Sequence, residues 1–222
     1  MSKISKGKQG EELVVKELNK IKVHHHLLND VTLINAKSDM THQIDHILIH
    51  PHGVFIIETK NYSGEITIED GAWFKTIKKQ KKRISNPLLQ NKSHEITLFR
   101  AVKGLFKATP IVVFVKNNAP YLPNDNAINL EDLLLFIDSY PYEKELSKVE
   151  IDNIKKTIEN VSSEVSLKEH LENIKTYKQY RKEQQEEMRI AIEQGICPYC
   201  ESKILTNGVE FMCSKCNFHF KL

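Results

Sequence analysis

No stretch of this 222-residue chain is apolar for long enough to span a bilayer. Its opening, MSKISKGKQGEELVVKEL, lacks the apolar core of a signal peptide. A cytoplasmic setting without a membrane partner is the expectation. A large charge of one sign is also missing. The net charge is +3, so any affinity for nucleic acid has to come from local patches. Glycine and proline are absent from residues 143–194, as are sustained heptads, which reads as helix without a coiled-coil seam. Cysteine is confined to the tail, where all four lie between Cys197 and Cys216. In a reducing compartment that concentration points to metal ligation over disulfides. With 40% hydrophobic and 27% charged residues, the composition is that of a soluble globular protein, with room for one ordinary domain and a small appendage.

The most informative stretch runs from Gln43 to Gly64, QIDHILIHPHGVFIIETKNYSG. It reads as two apolar strands joined by a turn, with Asp45 on the first and Glu58 and Lys60 near the end of the second. The run from Val54 to Ile57 is β-branched or aromatic throughout, as in a central strand covered on both faces. Burying Glu58 beside it costs several kcal/mol unless a cation or hydrogen bonds compensate. Side chains alternate along a strand, so Glu58 and Lys60 project from the same face. A two-residue turn between His50 and Gly53 sets Ile49 opposite Val54 and Asp45 opposite Glu58. Pro51 suits type I or II turns better than the primed types of tight hairpins, so a bulged turn with the register moved by one is the competing geometry. In the first register two carboxylates and an ammonium converge. Such a group suits Mg²⁺ or Mn²⁺ and phosphodiester hydrolysis, with Lys60 orienting the attacking water or stabilising the transition state. The same spacing also fits a salt-bridged hairpin in which Lys60 neutralises Glu58, and spacing alone does not choose.

Five elements occur in order: Gly7-x-x-Gly10-Glu11, Gln43-Ile44-Asp45-His46, Glu58-Thr59-Lys60-Asn61-Tyr62-Ser63-Gly64, Trp73, and Asn86-Pro87-x-x-Gln90-Asn91. Together they resemble the nuclease-related domain (NERD) family, itself similar to the PD-(D/E)xK, or restriction-endonuclease-like, nucleases. The resemblance covers roughly the first 120 residues and does not speak for the rest. Two positions depart from the pattern: Ile44 stands where the superfamily has proline, and His42 where relatives often carry a small hydroxyl residue. The resemblance implies that a glutamate on the first helix reaches the metal site. Val14, Leu18 and Ile21 put Glu11 on or beside the inward face, whereas Glu12 suits a solvated first turn. It also implies that the Gln90 amide touches phosphate or a metal ligand. The alternative is a solvated amide at a helix start.

Elsewhere the signals are plainer. Residues 10–22 read as the first helix, and the run His24, His25, His26 as a solvated turn, since adjacent residues diverge and no finger-like second cluster follows. Asp30 to Ala36 reads as the first core strand. Ile66–Ile68 and Trp73–Ile77 read as a meander that widens the sheet. Lys78, Lys79, Lys81, Lys82 and Arg83 follow as a basic run leading to the next helix, either a phosphate-contacting patch or a solvated face. Ser85 or Asn86 caps a helix with Pro87 at its first position, expected to run to about Phe106 over a buried stripe of Leu89, Ile96, Phe99, Val102, Leu105 and Phe106. Ile111–Val115 is a further buried strand, and Asn129 caps a short helix over 130–139. KTYKQYRKEQQEEMR is polar nearly all round, an exposed helix ending at Gly195.

The tail is CPYC, twelve residues, then CSKC. Cys197, Cys200, Cys213 and Cys216 thus form paired knuckles with the spacing of a tetrahedral Zn²⁺ site, and the tail resembles the zinc ribbons of some topoisomerases. Four thiolates fill the shell, so this zinc is structural. The fold class expected is α/β: a restriction-endonuclease-like mixed sheet flanked by helices over 1–141, a helical connector over 142–194 and a zinc ribbon over 195–222. The function expected is a Mg²⁺- or Mn²⁺-dependent nuclease acting on nucleic acid, DNA first. Its competitors are a binding module that keeps the fold without turnover and an adaptor that recruits partners.

Overall fold

The computed structural model describes residues 3–35, 40–120, 126–162, 167–198, 200–206, 210–213, 215–216 and 219–221. The unbroken apolar run of the sequence becomes β3 (Gly53–Lys60), buried from Val54 through Glu58. It is the middle of a five-stranded sheet ordered β1-β2-β3-β7-β8. Strands β1 (His26–Asn35), β2 (Met40–His50) and β3 are antiparallel. Beyond β3, the strands β7 (Thr109–Phe114) and β8 (Ala127–Asn129) run parallel to it. The hairpin takes the two-residue turn: Ile49 pairs with Val54 and His50 with Gly53, so Pro51 does not shift the register. Gly53, at φ 137°, supplies a backbone conformation that other residues rarely adopt.

Helices cover both faces of this sheet, each through its own apolar cluster. On one side Val14 and Leu18 of α1 (Lys3–Leu18) and Leu133 and Ile137 of α3 (Leu133–Ser139) pack on Leu48, Phe55, Ile57, Ile111 and Val113. On the other, Leu98 and Val102 at the end of α2 (Pro87–Ala101) join Ile151 and Ile158 of α4 (Lys148–Val161) against Ile47, Ile49, Val54 and Ile56. Helix α4 therefore belongs to the layered core, although the sequence places it in a connector. Ile151, Ile154, Ile158 and Val161 share one face, while Val149 is exposed. A capping box between Ser147 and Glu150 opens it.

Several local expectations change. Helix α1 starts seven residues earlier than read and stops at Leu18, so Glu12 is not in a first turn. The meander does not widen the main sheet. Strands β4 (Glu65–Glu69), β5 (Ala72–Ile77) and β6 (Gln80–Ile84) form a sheet of their own, because β7 already occupies the free side of β3. Gly64 makes the departure: a Cβ there would lie 2.1 Å from the Thr76 carbonyl oxygen. The small sheet packs back through Trp73, stacked on Phe114 with ring centroids 6.4 Å apart. Part of the basic run is itself a strand, and Lys78 and Lys79 form the tight turn at positive φ that joins β5 to β6.

Helix α2 stops at Ala101, and its buried side is not the stripe expected. Leu89, Ile96, Phe99 and Leu105 are exposed, while Pro87, Asn91, His94, Thr97 and Leu98 are buried. Asn86 caps the helix through its side chain, whereas the Asn129 side chain accepts from the Ala119 amide instead of capping. The histidine run is not a solvated turn. His24 and His26 are half-buried, and both rings meet Asp152 of α4, a partner 126 residues or more away that local spacing does not reveal.

The chain divides into two compact units, Met1–Ser166 and Leu167–Leu222. In the second, α5 (Leu167–Glu193) ends in a Schellman arrangement: Gly195 at φ 73°, its amide donating to Ile192 O and the Ile196 amide to Ala191 O. Three short strands follow, β9 (Leu205–Thr206), β10 (Glu210–Met212) and β11 (His219–Lys221), around a small core of Ile192, Cys197, Ile204 and Cys213. No helix among the described residues is long and apolar enough to cross a membrane.

Candidate functional site

Asp45 stands at a break in the sheet. The β1–β2 pairs skip from Asn29↔His46 to Val31↔Ile44, leaving Asp30 and Asp45 out, and the β2–β3 pairs stop at His46↔Ile57. Asp30 has φ 53°. Leu28 and Val31 of β1, and Ile47 and Ile44 of β2, all face the α2–α4 core, which strict alternation forbids for residues three apart. Each strand therefore carries one residue out of step, as at a β-bulge, and the strands open there. The Asp45 carboxylate fills the gap by accepting a hydrogen bond of 2.7 Å from the Thr59 amide.

Glu58 and Lys60 flank Thr59 and face α2. Lys60 Nζ donates to Glu58 Oε1 at 2.5 Å and to Gln90 Oε1 at 3.0 Å, while Gln90 Nε2 donates to the same Glu58 oxygen at 2.8 Å. Gln90 thus bridges the acid and the base. The other oxygen, Glu58 Oε2, is buried with no hydrogen bond among the described residues, and His94 Nδ1 lies 3.5 Å from it. His42 meets His94 edge to face, with centroids 5.9 Å apart, so the unusual residue at position 42 lines this side of the site. The motif Asn86-Pro87-x-x-Gln90-Asn91 acquires a physical meaning: a cap, a helix start, a bridge to the site and a buried anchor. Asn91 Nδ2 donates to Ile56 O and Ile111 O, at 3.1 and 2.8 Å, tying α2 to β3 and β7.

Glu11 arrives from the opposite side on α1. Gly10 permits the approach, since a Cβ there would meet Asn61 Cβ at 2.9 Å and Thr59 Cγ2 at 3.2 Å. Asn61 Nδ2 donates to Lys6 O and Lys6 Nζ to Ser63 Oγ, fastening α1 to the loop after β3. Among the described residues, the ligand atoms of Glu11, Asp45 and Glu58 do not all fall within 4.8 Å of one another, whereas those of the four cysteines do. The Thr59 amide holds Asp45, and Lys60 with Gln90 holds Glu58, while Glu11 stands back on its helix.

The electrostatics show how closely these charges are felt. Burial, then the charge of Glu58, raises the Asp45 carboxyl well above the usual range, against the Thr59 hydrogen bond that lowers it. Glu11 is raised by burial and by Asp30, with a smaller push from Glu58. For Lys60 burial works downward, but the charge and hydrogen bond of Glu58 outweigh it and hold the ammonium more firmly protonated. Behind Asp45, burial pushes His46 down to about 4, and its Nδ1 lies 2.7 Å from Asn29 Oδ1. From the sequence, Thr59 and Asn91 stand only within motifs and Asp30 only at the start of a strand, and none of these or His94 carries a site role. Only the position of His94, one turn after Gln90, signalled its place.

The remaining candidates belong to other elements of the chain. Lys78, Lys79, Lys81, Lys82 and Arg83 are all exposed on the β5–β6 hairpin, where Lys81 pairs with Glu69. In the second unit Cys197 Sγ lies 3.5 Å from Cys216 Sγ, and Cys200 Sγ 3.5 Å from Cys213 Sγ. A tetrahedral Zn²⁺ with four Zn–S bonds of about 2.3 Å requires sulfur separations of about 3.8 Å, so the donor set and its spacing suit zinc.

A carboxyl with a raised folded-state pKa stabilises the fold fully below its unfolded value, about 3.9, and that contribution is lost as pH rises through the folded pKa. Asp45→Asn keeps an acceptor for the Thr59 amide and removes the charge. In magnesium-free buffer at pH 7 it is expected to raise stability by on the order of 1 kcal/mol, the gain shrinking towards pH 4. Urea midpoints at the two pH values measure this, and a variant less stable than wild type at pH 7 contradicts it.

Residues 6–115 match the family model of the nuclease-related domain. That span contains Glu11, Asp45, Glu58, Lys60 and Gln90 and excludes the four cysteines. An uncharacterised protein of Bacillus anthracis is 32% identical over 161 residues, covering 69% of this chain and 75% of the relative. No solved structure matches the chain. The matched span begins in the helix that carries Glu11 and ends just beyond β7, so family and site coincide: this chain belongs to the nuclease-related domain family.

Proposed function

We propose that the chain is a Mg²⁺- or Mn²⁺-dependent nuclease that hydrolyses phosphodiester bonds in DNA. The observation that carries this reading is that Asp45, held on the Thr59 amide, feels the charge of the buried Glu58, whose Oε2 has no hydrogen bond among the described residues. Two carboxylates and an unsatisfied oxygen suit a hard dication. Magnesium commonly takes one or two protein carboxylates and keeps several waters, so Glu11 can stand further out and act through a water. Asp45 and Glu58 would hold the dication, which would supply charge neutralisation and a more acidic water.

The protein's own groups do the rest. Lys60 spends two of its three N–H donors on Glu58 and Gln90, which leaves the third for substrate or water. It orients the attacking water or donates to a phosphoryl oxygen as negative charge builds. Gln90 holds the lysine and Glu58 at fixed separation, which preorganises both. As the water oxygen bonds to phosphorus and gives up a proton to solvent, the bond from phosphorus to one sugar oxygen breaks, and that oxygen takes up a proton from solvent. The exposed hairpin charges Lys78, Lys79, Lys82 and Arg83 would meet the flanking phosphates. The cysteine quartet would hold a structural zinc, with all four coordination positions filled by protein.

Supercoiled, linear and single-stranded DNA, with RNA beside them, test the reading in Mg²⁺ or Mn²⁺. Asp45→Ala is expected to abolish cleavage and metal binding. Lys60→Ala is expected to lose about 10²–10³-fold in turnover while the metal stays bound. DNA binding without cleavage by the wild-type protein under all these conditions would overturn the nuclease reading in favour of a binding module.

The hairpin gives an independent outcome. Replacing Lys78, Lys79 and Lys82 by glutamine should weaken DNA binding and flatten the plot of log K against log salt by about 0.9 for each lost contact. An unchanged slope would return these lysines to ordinary solvated surface. For the tail, Cys197→Ser is expected to lose one zinc per chain together with the β9–β11 structure. Metal analysis and amide exchange of residues 195–222 read both, and a protected tail without zinc contradicts the assignment.

A further inference from the structure

His24 and His26 are two residues apart where the chain enters β1, so in an extended backbone they project to the same side. Helix α4 brings Asp152 to that side. His24 Nε2 lies 2.9 Å and His26 Nε2 2.7 Å from the same oxygen, Asp152 Oδ1, and the rings stand edge to face with centroids 5.2 Å apart. The three ligand atoms lie within 4.8 Å of one another. The side chains keep 32%, 27% and 48% of their exposure, so the cluster is anchored yet open to an entering ion.

We propose that His24, His26 and Asp152 form a binding site for a zinc-type transition-metal dication that clamps the start of β1 to α4. Two imidazole nitrogens and one carboxylate oxygen are the donor set of a three-ligand zinc site with an open fourth position. Imidazole nitrogen also discriminates against Mg²⁺, which prefers oxygen. This site is separate from the carboxylate group. His26 pairs with Ile49, four residues along β2 from Asp45, or roughly 13 Å at the ordinary strand rise. It is separate from the cysteine quartet in both chain segment and donor type. Ligation would replace a hydrogen-bonded triad by three bonds to one ion and join segments more than 120 residues apart in sequence.

Zinc counting on the full chain tests the site. Asp45→Ala protein serves as parent, so that the carboxylate group adds nothing to the count. After equilibration at low micromolar free Zn²⁺ in the presence of millimolar Mg²⁺, the parent should carry one zinc more than its His24→Gln/His26→Gln derivative. The Asp152→Asn derivative, a change of one atom at a half-exposed position, should show the same loss. Zinc should also raise the unfolding temperature of the parent more than that of either derivative. Equal zinc content in the parent and the folded Asp152→Asn protein would overturn the proposal, even if the double variant failed to fold.

Discussion

A hydrogen bond from the Thr59 amide to the Asp45 carboxylate replaces strand pairing at the point where β2 and β3 part. Had the ladder continued, Asp45 would have been one more alternating strand residue and its carboxylate would have lacked this donor. Because Asp30 and Asp45 both drop out of step, the antiparallel register is preserved on either side of the break. Between β1 and β2 the opening is confined to one residue per strand, and the neighbouring β2–β3 pairs Ile47↔Ile56 and Leu48↔Phe55 are fully buried. Local disorder of the ladder is thus the condition for bringing an acid in beside Glu58. Its cost is borne by the two apolar clusters that clamp the sheet from both faces.

Helix α2 shows the same trade between packing and chemistry. Its buried side carries Asn91, His94 and Thr97, while larger apolar residues on the helix face outward. A helix seated by hydrophobic burial alone would slide more easily along the sheet. Asn91, donating to carbonyls of both β3 and β7, gives the helix a definite height and rotation. Gln90, the adjacent residue, then meets Glu58 and Lys60 within hydrogen-bonding distance. On the other face Gly10 does by close approach what Asn91 does by hydrogen bonding. The two helices position Glu11 and Gln90 from opposite sides of the sheet.

The second unit follows a different stabilising logic. Among its described residues the apolar core is four buried residues, two of them cysteines, with a few partly buried neighbours. So small a core leaves sulfur chemistry as the main source of order. The first unit buries three apolar clusters among its described residues and gains its order from them before any metal is considered.

Much of this was legible in the sequence, since it depends on local pattern. Period-two alternation and β-branching located β2 and β3, and the CxxC pairs located the cysteine cluster. The Asn-Pro start located α2, and the hairpin spacing gave the register despite Pro51. These features are set by residues within a few positions of one another, whose geometry the backbone fixes directly. The tertiary structure decided what depends on residues distant in sequence. It made the meander a separate sheet, because β7 had taken the edge of β3. It turned the polar side of α2 inward and drew α4 into the core through Ile151 and Ile158. It also brought Asp152 to His24 and His26 and left Asp45 outside both ladders. None of these follows from periodicity, because each is a competition among segments for the same surface, and only the packed whole shows which segment occupies it.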